Sequence, residues 1–145
     1  MIDSAAPRGP ESDSRRIRSA RRAKHVLIVE DDPTTLRVLS DCLTAQGYRT
    51  SVATNGPVGI AMFEASHPDL VVLDVLLPRK NGFEVCFALR RSDHGKRTPI
   101  MLMSAAYQDE ARAEQMRAAL GADDFLLKPF ELDFFVERVR ELLGI

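Results

Sequence analysis

The sequence predicts an α/β fold, a doubly wound open sheet of five parallel strands, and three observations predict it. Short apolar runs alternate with helical patterns five times along the 145 residues. Most of the strand candidates are continuously apolar, as expected of strands buried on both faces. The intervening helices, of 9–14 residues, are long enough to carry the chain back across the sheet and make neighbouring strands parallel.

The first strand is His25–Val29, an apolar run followed at once by acids. Pro33–Gln46 follows as a helix, with Leu36, Leu39, Cys42 and Leu43 at helical spacing and Gly47 as its stop. Tyr48–Ala53 is the second strand. Pro57–Ala65, carrying Val58, Ile60, Ala61, Met62 and Phe63, is the second helix. Leu70–Leu73 is an aliphatic and β-branched run, a strand buried on both faces, and Phe83–Arg91 the third helix. Pro99–Met103 is the fourth strand, and Glu110–Leu120 a helix stopped by Gly121. Phe125–Leu127 is the short fifth strand. Leu132–Leu143 closes the series, with Phe135, Val136, Val139, Leu142 and Leu143 on one face.

No internal repeat is present, which argues against a solenoid, and five strands are too few for a closed (β/α) barrel. An open sheet remains, and at this size the flavodoxin-like strand order 2-1-3-4-5 is the common solution. The domain is expected over residues 25–145.

Residues 1–24 differ in kind. They are polar, lack apolar periodicity and carry seven Lys/Arg against three Asp/Glu, a net +4, and read as a disordered basic extension. The whole chain is −1, so residues 25–145 carry −5, which argues against nucleic-acid binding by the folded part. The arginines could meet nucleic acid, acidic lipid or an acidic partner, or could simply be solvated. Cys42 and Cys86 have no metal-binding spacing and read as buried free thiols of a reducing compartment. No run reaches the ~18 apolar residues of a membrane span, and no apolar stretch resembling a signal peptide follows the N-terminal arginines. A cytoplasmic protein is expected.

In a doubly wound sheet, ligands bind beyond the carboxyl ends of the strands, where the strand order reverses. Here the reversal falls between strands 1 and 3. Glu30, Asp31 and Asp32 follow strand 1, and Asp74 follows strand 3. Several carboxylates so close need a shared proton, a cation or both. An all-oxygen set without His or Cys suits Mg²⁺ better than Zn²⁺. Ser104 at the end of strand 4 and Lys128 at the end of strand 5 add a hydroxyl and an ammonium. Such a crevice suits a phosphoryl group, with a carboxylate as nucleophile. Asp32 has a competing role: Asp before Pro is a helix N-cap with Pro in the first turn. Asp74 ends the apolar run VVLD, where an unpaired carboxylate is costly.

The segments VLIVEDDP, PDLVVLDVLLPRKNGFEV, PIMLMSA and GADDFLLKPF, in that order, resemble the landmarks of response-regulator receiver domains over about residues 25–143. The resemblance implies that Asp74 is the phosphoacceptor. It implies Mg²⁺ held by Asp31, Asp74 and the Leu76 carbonyl, with Glu30 acting through water. Ser104 would be the switch hydroxyl, Lys128 the phosphate-pairing lysine and Phe125 the aromatic that changes rotamer. The Lys128–Pro129 bond is cis in similar proteins. Departures are small: Ser stands at 104 where Thr is more frequent, Phe at 125 where Tyr is, and LLP after the acceptor where many relatives have MP.

By the same resemblance the phosphoryl group comes from a phosphohistidine on a sensor histidine kinase or histidine phosphotransfer protein docking near the first helix. The surface of helix 4, strand 5 and helix 5 then repacks and signals to a downstream protein target or effector domain. Asp123, Asp124 and Arg138 resemble part of a charged set through which some relatives dimerise, whereas Arg112, Glu114 and Phe134 depart from it. Phosphorylation-dependent homodimerisation and a merely solvated face both stay open. Leu76 and Ala106 flank the entry for hydrolytic water and cannot orient it, so slow self-dephosphorylation is expected. The chain ends with the last helix, and so reads as a stand-alone receiver or one excised from a longer protein. Two rivals are an aspartyl-phosphate phosphohydrolase, disfavoured because Asp74-Val75-Leu76 lacks the second acid, and a non-phosphorylated receiver-like scaffold, disfavoured because the acids and lysine are present.

Overall fold

In the computed structural model, which describes residues 23–105 and 109–145, five parallel strands form one sheet in the order β2-β1-β3-β4-β5. The elements are β1 (His25–Val29), α1 (Pro33–Ala45), β2 (Arg49–Ala53), α2 (Gly56–Ser66), β3 (Leu70–Asp74), α3 (Gly82–Arg90), β4 (Ile100–Ser104), α4 (Glu110–Leu120), β5 (Asp124–Leu127) and α5 (Leu132–Leu143). Fold class and strand order are those the sequence predicts. The expected basic extension lies outside the described residues except for Ala23 and Lys24, and Ala106 also lies outside them.

Side chains alternate across each strand, so the sheet has two apolar faces. Val26, Ile28, Val72, Met101 and Met103 meet Leu36, Leu39 and Leu43 of α1 and Phe135 and Val139 of α5. Leu27, Val29, Val71, Leu73, Ile100 and Leu102 meet Phe63 of α2 and Val85, Cys86 and Leu89 of α3. Strands β1, β3 and β4 are buried along their whole length, as sequences apolar at all but one end residue require. Only Ala53 of β2 is buried, because β2 is an edge strand; its mixed sequence RTSVA follows from that position.

Differences from the expected boundaries trace to caps and to the hydrogen-bond ladder. The side chain of Asn55 accepts from Val58 N, so α2 starts at Gly56, one residue before Pro57. Asn81 and Glu84 form a reciprocal capping box that starts α3 at Gly82. Strands β3 and β4 extend past their apolar runs to Asp74 and Ser104, since the ladder continues beyond the last apolar residue. Both cysteines are free; Cys86 is buried, but Cys42 is only half-buried, contrary to expectation, because its helix position faces the margin of the core.

Register aligns the strand ends. Val29 pairs with Leu73, so Glu30 follows level with Asp74. Asp74 pairs with Met103, and Ser104 with Leu127. One further residue brings in Lys128, whose bond to Pro129 is cis.

Candidate functional site

At the carboxyl end of the sheet lies an acidic crevice. Ligand oxygens of Glu30, Asp31 and Asp74 all fall within 4.8 Å of one another. Glu30 and Asp74 are buried, at 1% and 5% exposure, while Asp31 is exposed at the rim. Two deeply buried carboxylates and one at the mouth form a pocket of hard oxygen donors with no His or Cys among them. That donor chemistry fits Mg²⁺ and disfavours softer transition metals.

The Lys128 ammonium compensates the buried charge, donating to Glu30 Oε1 at 2.5 Å and to Asp74 Oδ2 at 3.1 Å. The Asp32 backbone N–H donates to the other Glu30 oxygen at 3.1 Å, and the Leu76 N–H to Asp74 Oδ1 at 3.1 Å. Burial, with Asp74 adjoining, still pushes the Glu30 carboxyl up to about 7, against the lowering pull of Lys128 and the Asp32 N–H. For Lys128, burial pulls the ammonium down, but hydrogen bonds to Glu30 and Asp74 outweigh it and the net direction is up.

Asp32 is not in this cluster. Its Oδ2 accepts from Thr35 N at 2.9 Å and from Thr35 Oγ1 at 2.6 Å, and these bonds hold its carboxyl below the usual range. It is the N-cap of α1, with Pro33 in the first turn. The Asp-Pro signal thus decides for the cap over the ligand.

Ser104 is fully buried at the end of β4, and its carbonyl accepts from Lys128 N at 2.9 Å. Phe125 is half-buried against the α3 side of the core and also lines a groove of about 790 Å³ bounded by α4, β5 and α5. Phe134, 51% exposed, stands at the same groove. Of the charged set named from the sequence, Asp123, Asp124 and Arg138 are engaged within the chain. Arg138 donates to Asp124 at 2.6 Å, and Asp123 accepts from Arg90 at 2.9 Å and from Ile100 N at 2.8 Å.

Sequence reasoning missed Gly82. Its N–H donates to Val75 O at 2.8 Å, and a β carbon there would lie 2.3 Å from the Asp74 carbonyl oxygen. The start of α3 therefore rests directly on the backbone that carries Asp74. The sole sequence signal was a glycine at the first helical position after Asn81, which reads as ordinary capping.

Comparison with known proteins agrees with this architecture. The family model for the response regulator receiver domain matches residues 26–140. The transcriptional regulatory protein PcoR of Escherichia coli is 38% identical over 120 residues, covering 83% of this chain and 51% of PcoR. The chain spans about half the length, or less, of the curated relatives it matches. Among solved structures, a putative response regulator from Chloroflexus aurantiacus superposes with a TM-score of 0.79 at 31% identity, covering 86% of this chain and all of that one. The receiver domain of sensor histidine kinase PA1611 from Pseudomonas aeruginosa, with a magnesium ion coordinated in its active site cleft, gives 0.76 at 25% identity, covering 85% of this chain and 99% of that one.

Proposed function

Since this chain belongs to the response regulator receiver family, we propose that Asp74 accepts a phosphoryl group from a phosphohistidine and that the acyl phosphate resets the surface around β5. The observation that carries this reading is the pairing of one half-buried lysine with two buried carboxylates at the switch point of the sheet. That arrangement supports a shielded nucleophile, with an ammonium already in place to meet the incoming oxygens.

The donor is a sensor histidine kinase or a histidine phosphotransfer protein. An Asp74 oxygen attacks phosphorus in line, an O–P bond forms as the P–N bond breaks, and the imidazole leaves as the neutral ring after taking a proton. Asp31, Asp74 and the Leu76 carbonyl, with Glu30 through water, would hold Mg²⁺, which when bound supplies positive charge for the phosphoryl oxygens. Lys128 exchanges its contact with Asp74 for a phosphoryl oxygen, and Ser104 Oγ donates to another. Movement of Ser104 opens space for Phe125 to turn inward, which changes the groove between α4 and α5.

Output is by protein contact, to a downstream target or effector domain, or to a second copy of the chain. The exposed Phe134 supports an apolar contact there. The protein acts as a cytoplasmic switch that assists its own phosphorylation and dephosphorylation rather than as an enzyme on other substrates. Residues 1–24 form an extension to a domain spanning 25–145.

Incubating the chain with Mg²⁺ and acetyl phosphate tests the reading. One phosphate per chain, absent from Asp74→Asn, is expected by intact-mass spectrometry. Continuous release of inorganic phosphate with no phosphorylated chain accumulating would identify a phosphohydrolase, and neither incorporation nor release a scaffold.

A further inference from the structure

We propose that the exposed face of α3, centred on Phe87, is a docking surface for an acidic polypeptide segment that presents one large apolar side chain. This surface is separate from the Asp74 crevice and from the groove beside Phe125.

Charge is the first support. Residues 79–97 hold six Lys/Arg and two Asp/Glu, a net +4. The rest of residues 25–145 hold seven Lys/Arg and sixteen Asp/Glu, a net −9. The β3–α3 loop, α3 and the loop that follows it thus make a basic region on an otherwise acidic domain. An acidic partner is steered toward it and repelled elsewhere.

Shape is the second. Phe87 is 64% exposed, the most exposed of the large apolar residues among those described. It borders a concavity of about 390 Å³ with Phe83 and Leu120 at its apolar wall and Lys80 and Arg91 at its rim. The Arg91 guanidinium lies 5.9 Å from the Phe87 ring centroid, so cation and ring form one composite patch. A volume of that size receives one large side chain, and aromatic and Arg residues together are the usual anchors of a binding hot spot.

Rigidity is the third. The capping box fixes the first turn of α3. At the last turn Arg90 donates to Gly95 O, Thr98 O, Gly121 O and the Asp123 carboxylate. Phe87 therefore projects from a helix held at both ends, and little ordering cost remains when a partner binds.

The occupant is a polypeptide rather than nucleic acid or membrane. The Glu84 carboxylate, which also lines the concavity, accepts from Asn81 N in the capping box. Arg90 is spent inside the fold, leaving too few cations for the ~6–10 phosphate contacts of a nucleic-acid site. A single ring beside a carboxylate is also not the broad apolar face of a membrane-surface helix.

The test pans the immobilised full chain against a displayed random-peptide library, then measures one synthesised winner by calorimetry. Winners combining acids with an aromatic or leucine are expected, with Phe87→Ala and Arg91→Glu each weakening binding about tenfold or more. Asp74→Asn should leave the affinity unchanged, so the proposal stands or falls apart from the phosphoacceptor role. Thermal melts confirm that these surface variants stay folded. Winners without acids, no winners, or a winner indifferent to Phe87→Ala would overturn it. So would Phe87-dependent binding of a single-stranded oligonucleotide, of phosphatidylglycerol vesicles or of a second copy of the chain.

Discussion

Gly82 sits so close to Asp74 that a β carbon on the glycine would fall 2.3 Å from the Asp74 carbonyl oxygen and 2.6 Å from Val75 Cα. Both neighbours are backbone, so neither can swing aside as a side-chain tip would. Gly82→Ala must push α3 away from the end of β3 or displace the strand end itself. Overpacking of this kind costs about 3 kcal/mol or more. A lower urea midpoint and loss of acetyl-phosphate labelling are expected together. Wild-type labelling in a folded Gly82→Ala protein would show that α3 does not support the position of Asp74.

The buried Glu30 makes stability depend on pH in a stated direction. Its carboxyl, ordinarily near 4.5, is pushed up to about 7 by burial and by Asp74. Between these values the folded chain keeps a proton that the unfolded chain releases. This contribution is therefore full below about pH 4.5 and is lost as pH rises through 7. Lys128 shifts upward from 10.5 and does not titrate in this window. Glu30→Gln is expected to flatten the fall in metal-free stability across the window, as read by thermal melts at successive pH values. Mg²⁺ affinity of the wild type should rise through pH 7 as the carboxyl ionises, and in Glu30→Gln it should be weaker with little such rise.

Arg90 ties two loops together, 91–99 and 121–123. All five of its N–H groups find acceptors: Nε on Gly121 O at 3.1 Å, one terminal nitrogen on Gly95 O and Thr98 O at 2.5 and 2.6 Å, and the other on Gly121 O and Asp123 at 2.7 and 2.9 Å. Removing them in Arg90→Ala leaves several carbonyls short of a donor and should cost about 3 kcal/mol in urea unfolding. Lysine keeps the charge but not the planar fork, so Arg90→Lys should recover less than half of that loss. Equal stability of Arg90→Lys and wild type would show that charge alone matters here.

The parts legible in the sequence and the parts hidden from it differ in the range of the interaction. The acidic crevice was legible because each contributor is the residue that ends or follows a strand, and the strand order then fixes their convergence. The Asp32 cap was legible because Asp-Pro is a local signal. Lys128 could be assigned to the crevice, but its hold on Glu30, 98 residues away, depends on a reach from the end of β5 past β4 and β3 to the end of β1. Asp123 and Asp124 resembled an outward-facing charged set, yet Asp123 secures the start of β4 and Asp124 is held by Arg138. Nothing near them in sequence carries that information. The role of Gly82 was equally hidden, since a glycine at a helix start has no local feature that announces the backbone packed against it.

Leu76 bears on how long the phosphorylated state lasts. It lies two residues beyond Asp74 and is 57% exposed, with its N–H held by Asp74 Oδ1 at 3.1 Å. Its side chain therefore stands at the mouth of the crevice, where a water attacking the acyl phosphate must enter. An aliphatic group there can shield phosphorus but cannot accept a hydrogen bond from that water or turn its lone pair inward. Ala106, the other residue expected to flank this entry, lies outside the described residues. The purified, Mg²⁺-bound phosphoprotein should lose its phosphate over tens of minutes or longer, and a half-life under a minute would contradict this. Leu76→Asn keeps similar bulk but offers an amide oxygen to the water, and should shorten the half-life about tenfold, a modest share of what positioned proton acceptors contribute. Leu76→Ala separates the two effects: a faster loss than wild type assigns the long lifetime to shielding, and an unchanged one to the missing hydrogen bond.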